Sequence, residues 1–64
     1  MKIIVNGAVQ EVGAATLAEA LVELGHAGAR VATALNGDFV PAAARDRALE
    51  AGDQLEILAP RQGG

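Results

Sequence analysis

The chain has 64 residues, a formal net charge of −3 and no cysteine. A single domain of this length buries only about 60% of the surface that its unfolded chain exposes, so it has room for one thin core and little for an enclosed substrate cavity. Apolar residues make up 52% of the chain, many of them are alanines, and only Phe39 is aromatic. The core must therefore consist of small and aliphatic side chains.

Charge and composition argue against several kinds of site and partner. The five basic residues are scattered along the chain, whereas nucleic-acid binding needs a concentrated positive face. Without cysteine there are no disulfides or thiolate metal sites, and with His26 as the single histidine a protein-built zinc site is not expected. No apolar run approaches membrane-spanning length, and residues 1–5 lack the architecture of a signal peptide. We therefore expect a cytoplasmic protein with no membrane or nucleic-acid partner and no bound metal.

The first twelve residues predict an antiparallel hairpin. Residues 2–6 are β-branched and apolar, which favours a strand, and residues 8–12 return as a second, weaker strand. Between them, Asn6-Gly7 is a strong signal for a hairpin turn because both positions tolerate positive φ.

A short amphipathic helix is predicted next. Thr16-Leu-Ala-Glu19 matches a capping box, in which Thr16 caps the helix and Glu19 reaches back to it. Gly25 is expected to end the helix in the left-handed conformation. Leucines spaced along one face give it an apolar stripe. These leucines are Leu17, Leu21 and Leu24.

The second half of the chain predicts three further strands. Asn36-Gly37 is a second hairpin turn, and Pro41 ends the strand that follows it. The expected strands cover residues 30–35, 38–40 and 54–59. Residues 42–50 have helical propensity but only Leu49 to bury, so a turn or a brief helix is expected there.

The order β-β-α-β-β-β predicts an α+β fold. The first and last strands both carry apolar runs typical of central strands, so we expect them side by side and parallel in a mixed five-stranded sheet. The helix can cover one face of that sheet. This arrangement is the ubiquitin-like β-grasp, with the domain over residues 1–59 and a flexible C-terminal tail over residues 60–64.

The tail is the candidate functional segment. Its five residues, fully extended, could reach about 17 Å beyond the last strand, far enough to place a carboxylate in another protein's active site. Gly63 and Gly64 could pass through a narrow slot, because glycine has no Cβ. Arg61 and Gln62 could contact the wall of such a channel or merely keep the tail soluble. The alternative for the whole segment is a frayed chain end without a role.

Two stretches and the terminal glycines point to a known family. The stretches are Asn36-Gly-Asp-Phe-Val-Pro41 and Leu49-Glu-Ala-Gly-Asp-Gln-Leu-Glu-Ile-Leu-Ala-Pro-Arg-Gln-Gly-Gly64. They resemble the ThiS family, the small sulfur carriers of thiamine biosynthesis, and the likeness covers nearly the whole chain. Two positions depart from the family pattern. Ala42-Ala-Ala44 stands where the family often has an aromatic residue, and Thr33 occupies an inward position that is usually aliphatic.

The resemblance implies that the chain is a cosubstrate rather than an enzyme, and that Gly64 carries its chemistry. A C-terminal carboxylate, whose pKa is ordinarily about 3.5, is an anion that resists nucleophilic attack until it is activated. An E1-like adenylating enzyme of the ThiF type would form an acyl-AMP on Gly64. A persulfide on a cysteine desulfurase or rhodanese-like protein would then supply sulfur, and the resulting thiocarboxylate would serve a thiazole synthase of the ThiG type.

The resemblance also implies where cofactors and partners bind. ATP and Mg²⁺ would sit on the activating enzyme, since this chain has no phosphate-cradling loop and is expected to bind no cofactor itself. Partner contacts are expected along the tail and at the end of the last strand. The residues concerned are Leu58, Pro60, Arg61, Gln62 and Gly63. Leu58 and Ala32, on the sheet face away from the helix, are candidates for a modest apolar docking patch, although one exposed leucine carries little information.

Two other functions share the predicted fold. The small subunit of molybdopterin synthase would use the same chemistry in another pathway, but those chains usually run longer. A non-reactive β-grasp interaction module would have a dispensable tail. Neither His26 nor the acidic residues suggest an active site, because no nucleophile stands with the histidine and the acidic spacing matches no metal loop. Turn-forming or solvent-facing roles are expected for Asp38, Asp46, Glu50 and Asp53.

Overall fold

A computed structural model describes residues 1–27 and 30–59 of the chain, and its elements follow the predicted order. The elements are β1 (Lys2–Val5), β2 (Ala8–Glu11), α1 (Leu17–Glu23), β3 (Ala32–Leu35), β4 (Asp38–Val40) and β5 (Gln54–Leu58). Each expected strand is present, with ends that differ from the predicted ones by at most two residues. Within the described ranges, no helix has the length and apolar character that crossing a membrane requires.

The five strands form one mixed sheet in the order β2-β1-β5-β3-β4. Strand β1 lies parallel to β5, with Val5 opposite Leu55, and β5 lies antiparallel to β3, with Leu35 on the other side of Leu55. The predicted side-by-side placement of the first and last strands is therefore confirmed. As a result, the strand that leads into the tail is the central strand of the sheet.

Both Asn-Gly turns have the expected backbone conformation. Asn6 and Asn36 have φ values of 49° and 51°, and the glycines that follow have φ values of 85° and 88°. Positive φ at both central residues is the pattern of a type I′ turn, whose twist matches that of the flanking strands. The turns thus fix the registers of both hairpins, with Val5 opposite Ala8 and Leu35 opposite Asp38.

The helix has both predicted caps. The Thr16 hydroxyl accepts a hydrogen bond from the Glu19 backbone N–H at 3.2 Å, and the Glu19 carboxylate accepts one from the Thr16 N–H at 3.3 Å. At the other end Gly25 has a φ of 91°, and the N–H of His26 donates to the Leu21 carbonyl at 2.7 Å. Together with the Gly25 bond to Val22, these contacts form a Schellman motif.

Residues 42–50 pack against the start of the helix. They begin as a single 3₁₀ turn (Ala42–Ala44), as the prediction of a turn or brief helix allowed. The carbonyls of Arg45 and Arg47 then accept hydrogen bonds from the N–H groups of Ala18 and Leu17, at 2.7 and 3.0 Å. These donors belong to the first helical turn and have no partner within the helix. The segment therefore completes the cap of α1.

The core lies between α1 and one face of the sheet. A seven-residue helix is not stable alone, so α1 depends on this apolar contact. The buried apolar residues are Ile3, Val5, Val12, Ala14, Leu17, Ala20, Leu21, Leu35, Val40, Leu49, Leu55 and Ile57. Leu24, predicted on the apolar stripe of the helix, is half-buried at the edge of the core, and so is Val31.

Candidate functional site

The structure describes the base of the predicted site but not its reactive end. Residues 60–64 lie outside the described part of the chain, and so do the predicted tail and the domain boundary that precedes it. Five of the predicted site residues belong to this segment: Pro60, Arg61, Gln62, Gly63 and Gly64. Their predicted roles stay predictions. Leu58 and Ala59, which lead directly into them, are described.

Leu58 ends the central strand with its side chain in solvent. Along β5, Leu55 and Ile57 point into the core, whereas Leu58 lies on the opposite face and is 69% exposed. Its partner across the strand pair is Ala32, also exposed. The structure therefore brings together the two residues that the sequence suggested as an apolar patch.

Phe39 enlarges this patch and was not predicted as part of it. It is 69% exposed and lies opposite Ala34 on the same open face of the sheet. The sequence held the signal, because alternation along β4 places Val40 inward and Phe39 outward. Adjoining apolar side chains of this kind mark possible contact surfaces on a small protein. We call Ala32, Ala34, Phe39 and Leu58 the open-face patch.

A groove of about 590 Å³ opens beside the end of β5. Its lining combines apolar side chains with two arginines. The lining residues are Arg30, Val31, Ala32, Ala42, Arg45, Leu58 and Ala59. Since Ala59 directly precedes the tail, the groove adjoins the point where the tail leaves the domain.

Arg45 is fixed in this groove by hydrogen bonds to β3. Its Nε donates to the Thr33 hydroxyl at 3.2 Å, and its Nη2 donates to the Val31 carbonyl. The Thr33 hydroxyl in turn donates to the Val40 carbonyl at 2.8 Å. Thr33 is one of the two positions that depart from the family pattern. It is only 2% exposed, yet its hydroxyl both donates and accepts a hydrogen bond. The arginine and the threonine thus join residues 42–47 to the sheet.

Arg45→Ala is expected to lower the free energy of unfolding by about 1–3 kcal/mol, because two hydrogen bonds to a charged group are lost in a partly buried place. Urea denaturation would measure the loss. In a double-mutant cycle with Thr33→Val, the two effects should not add, since both changes remove the same bond. Additive losses would show that Arg45 and Thr33 act independently.

Among the acidic residues expected in turns or in solvent, Asp53 has a defined role in a turn. The Asp53 carboxylate accepts hydrogen bonds from the Asn36 side chain at 3.0 Å and from the Glu50 N–H at 2.8 Å. Asp53 therefore shapes the turn before β5, as expected of it. In the part of the chain that the structure describes, no three histidine or acidic side chains are grouped as metal ligands.

Comparison with known proteins identifies the family. The model of the ThiS family matches residues 3–64, nearly the full chain. The chain belongs to the ThiS family. The crystal structure of a thiamine biosynthesis protein (ThiS) from Geobacter metallireducens is similar throughout, with a TM-score of 0.81 and 35% sequence identity over 100% of both chains. A search of curated protein sequences gave no significant match.

Membership in the ThiS family bears on both fold and function. The observed sheet and helix match a ThiS β-grasp structure, so the predicted fold is confirmed. ThiS proteins are small sulfur carriers rather than catalysts, and membership supports such a carrier role in thiamine biosynthesis.

Proposed function

We propose that this chain carries sulfur for thiazole formation in thiamine biosynthesis, and that its working group is the Gly64 carboxylate. The observation that carries the proposal is the full-length match to a ThiS protein of known structure. The topology is consistent with it, because the central strand β5 leads directly into residues 60–64. A tail attached to the centre of a sheet has a firm base from which to reach a partner.

The proposed chemistry begins with activation of the carboxylate. A carboxylate oxygen of Gly64 attacks the α-phosphorus of ATP, pyrophosphate leaves, and an acyl-AMP forms. The terminal sulfur of a persulfide then attacks the acyl carbon and displaces AMP. This joins the carrier to the donor's cysteine through an S–S bond. A second thiol attacks the cysteine sulfur and forms a disulfide with it, the first S–S bond breaks, and a thiocarboxylate remains on Gly64. The thiocarboxylate sulfur is the nucleophile delivered to the acceptor.

In this proposal the partners supply every other group. ATP and Mg²⁺ bind to a ThiF-type adenylating enzyme, and the persulfide belongs to a cysteine desulfurase or a rhodanese-like protein. A ThiG-type thiazole synthase accepts the sulfur. This chain contributes the tail and the surface at its base, and it binds no cofactor of its own.

Two surfaces at the base of the tail are proposed to contact the adenylating enzyme. The open-face patch offers exposed apolar area centred on Leu58 and Phe39, each 69% exposed. The adjoining groove adds the positive charges of Arg30 and Arg45. Along the tail, Pro60, Arg61 and Gln62 would be held in the enzyme's channel, and Gly63 would pass its narrowest part because it lacks a Cβ.

Mass spectrometry of the intact carrier tests the proposal. The protein is incubated with a ThiF-type enzyme, ATP, Mg²⁺, a persulfide donor and a small thiol that releases the carrier from the donor. Its mass should rise by the difference between sulfur and oxygen, and the change should map to Gly64. Reactions without ATP or without the donor serve as controls. A carrier whose mass stays unchanged in the complete reaction would contradict the proposal. A thiocarboxylate that reacts with molybdopterin synthase and not with thiazole synthase would assign the other pathway.

A further inference from the structure

The side chain of Asn6 pairs with the backbone of the last strand. Its Oδ1 accepts a hydrogen bond from the Ile57 N–H at 2.8 Å, and its Nδ2 donates to the Ile57 carbonyl at 3.1 Å. Both polar backbone groups of Ile57 on this side are thus satisfied by one carboxamide. The carboxamide acts in place of a neighbouring peptide group.

This contact lies where β1 no longer accompanies β5. The N–H of Ile4 donates to the Asp53 carbonyl at 2.8 Å, and the N–H of Asn6 donates to the Leu55 carbonyl at 2.9 Å. Ile57 is the next residue of β5 that faces the β1 side, but at Asn6 the main chain already turns away toward β2. The Asn6 side chain therefore extends the ladder by one position, toward the tail.

We propose that Asn6 is a positioning residue for the tail. By holding Ile57, it keeps the end of β5 in the sheet and so sets the point and direction from which residues 60–64 leave the domain. Only Leu58 and Ala59 lie between Ile57 and the tail. Each residue of β5 that left the sheet would shift the point at which the tail is anchored by about 3.3 Å. The inference rests on the proposed function, in which the tail must meet ATP in a fixed geometry.

The second Asn-Gly turn provides a matched control. Asn36 has nearly the same φ as Asn6, 51° against 49°, and also makes two side-chain hydrogen bonds near β5. Its Oδ1 accepts from the Gln54 N–H at 2.9 Å, and its Nδ2 donates to the Asp53 carboxylate at 3.0 Å. These bonds lie at the beginning of β5, far along the strand from the tail. Glycine suits the positive φ of both positions, so substitution removes the side chain without straining the turn.

Amide hydrogen exchange tests the contact directly. In Asn6→Gly, exchange of the Ile57 amide should accelerate by about five- to tenfold, the factor that corresponds to one lost hydrogen bond. In Asn36→Gly, the accelerated amide should be that of Gln54. The change in the free energy of unfolding of each variant, measured by urea denaturation, corrects both values for global unfolding. An Ile57 amide that exchanges at the wild-type rate in Asn6→Gly, after this correction, would overturn the inference.

Turnover by a ThiF-type enzyme tests the consequence for the tail. Pyrophosphate release with Asn6→Gly should show a kcat lower by about threefold or more, because the base of the tail has moved. The KM for the carrier is expected to rise as well, since Leu58 of the docking surface directly follows Ile57. Asn36→Gly should keep both values within about twofold. Equal losses of kcat in the two variants would mean that Asn6 acts only through stability, and would refute a positioning role.

Two further results distinguish a failure of the inference about Asn6 from a failure of the proposed function. Asn6→Asp keeps the acceptor for the Ile57 N–H but replaces the donor by a carboxylate oxygen, which repels the Ile57 carbonyl. This variant should therefore also lower kcat. It keeps the inference testable even if Asn6→Gly does not fold. A wild-type carrier that never gains sulfur would refute the proposed function. The exchange experiment would then still decide whether Asn6 holds the end of β5.

Discussion

Removal of Gly64 is expected to lower the rate of thiocarboxylate formation by about 100-fold or more. The shortened chain would still end in a glycine carboxylate, but that carboxylate would stand about 3.5 Å short of its former reach. A displacement of even 1 Å from the reacting atom can cost about 100-fold in rate. The measurement is the initial rate of sulfur incorporation with a ThiF-type enzyme, followed by the mass of the intact carrier.

Two controls accompany this experiment. Urea denaturation of the shortened carrier should match the wild type, because the described core ends at Ile57, seven residues before Gly64. A carrier with one residue added after Gly64 should be as inactive as the shortened one, since its carboxylate is displaced in the other direction. If both altered carriers supported thiazole formation at the normal rate, the domain would be an interaction module whose tail has no chemical role.

Substitution of two leucines of β5 should separate folding from partner contact. Leu55 is 1% exposed, and Leu55→Ala should lower the free energy of unfolding by about 2–5 kcal/mol because it leaves a cavity in the core. A domain of 64 residues has a total stability of about 3–10 kcal/mol. The Leu55 variant should therefore lose a large part of its stability, which urea titration at 25 °C followed by circular dichroism would measure.

Leu58→Ala is the matched variant on the other face of the same strand. Leu58 is 69% exposed, so its truncation should change stability by less than about 0.5 kcal/mol. It should instead raise the KM of the adenylating enzyme for the carrier by about fivefold, as loss of about 1 kcal/mol of interface contact would do. A Leu58 variant with normal KM would remove the open-face patch from the proposed interface, whereas a strongly destabilised one would mean that Leu58 is part of the core.

Local sequence signals predicted most of the fold. The Asn-Gly turns, the capping box at Thr16 and the glycine cap at Gly25 each depend on residues that are neighbours in sequence, and all are present in the structure. The predicted location of Leu58 on the sheet face away from the helix is also confirmed. Such features can be predicted because a backbone conformation or a periodicity determines them.

Most features that escaped prediction depend on contacts between distant residues. The path of residues 42–50 is set partly by N–H groups at the start of α1, which have no acceptor within the helix and donate to the Arg45 and Arg47 carbonyls. The groove at the end of β5 could not be predicted, because Arg45 enters it only through its bonds to β3. The bond between Asn6 and Ile57 spans 51 positions in sequence. Nothing near Asn6 indicates it, since an asparagine is expected in that turn anyway.

The location of β5 between β1 and β3 has a consequence for synthesis of the protein on the ribosome. A nascent chain that has emerged only through β4 holds two separate hairpins with unpaired inner edges, because the strand that joins them is made last. Such non-local pairing delays folding until β5 has been synthesised. Any truncated translation product that lacks β5 would therefore stay unfolded and be open to proteolysis. The adenylating enzyme proposed as a partner would then encounter, if it recognises the folded domain, only molecules in which translation had passed β5.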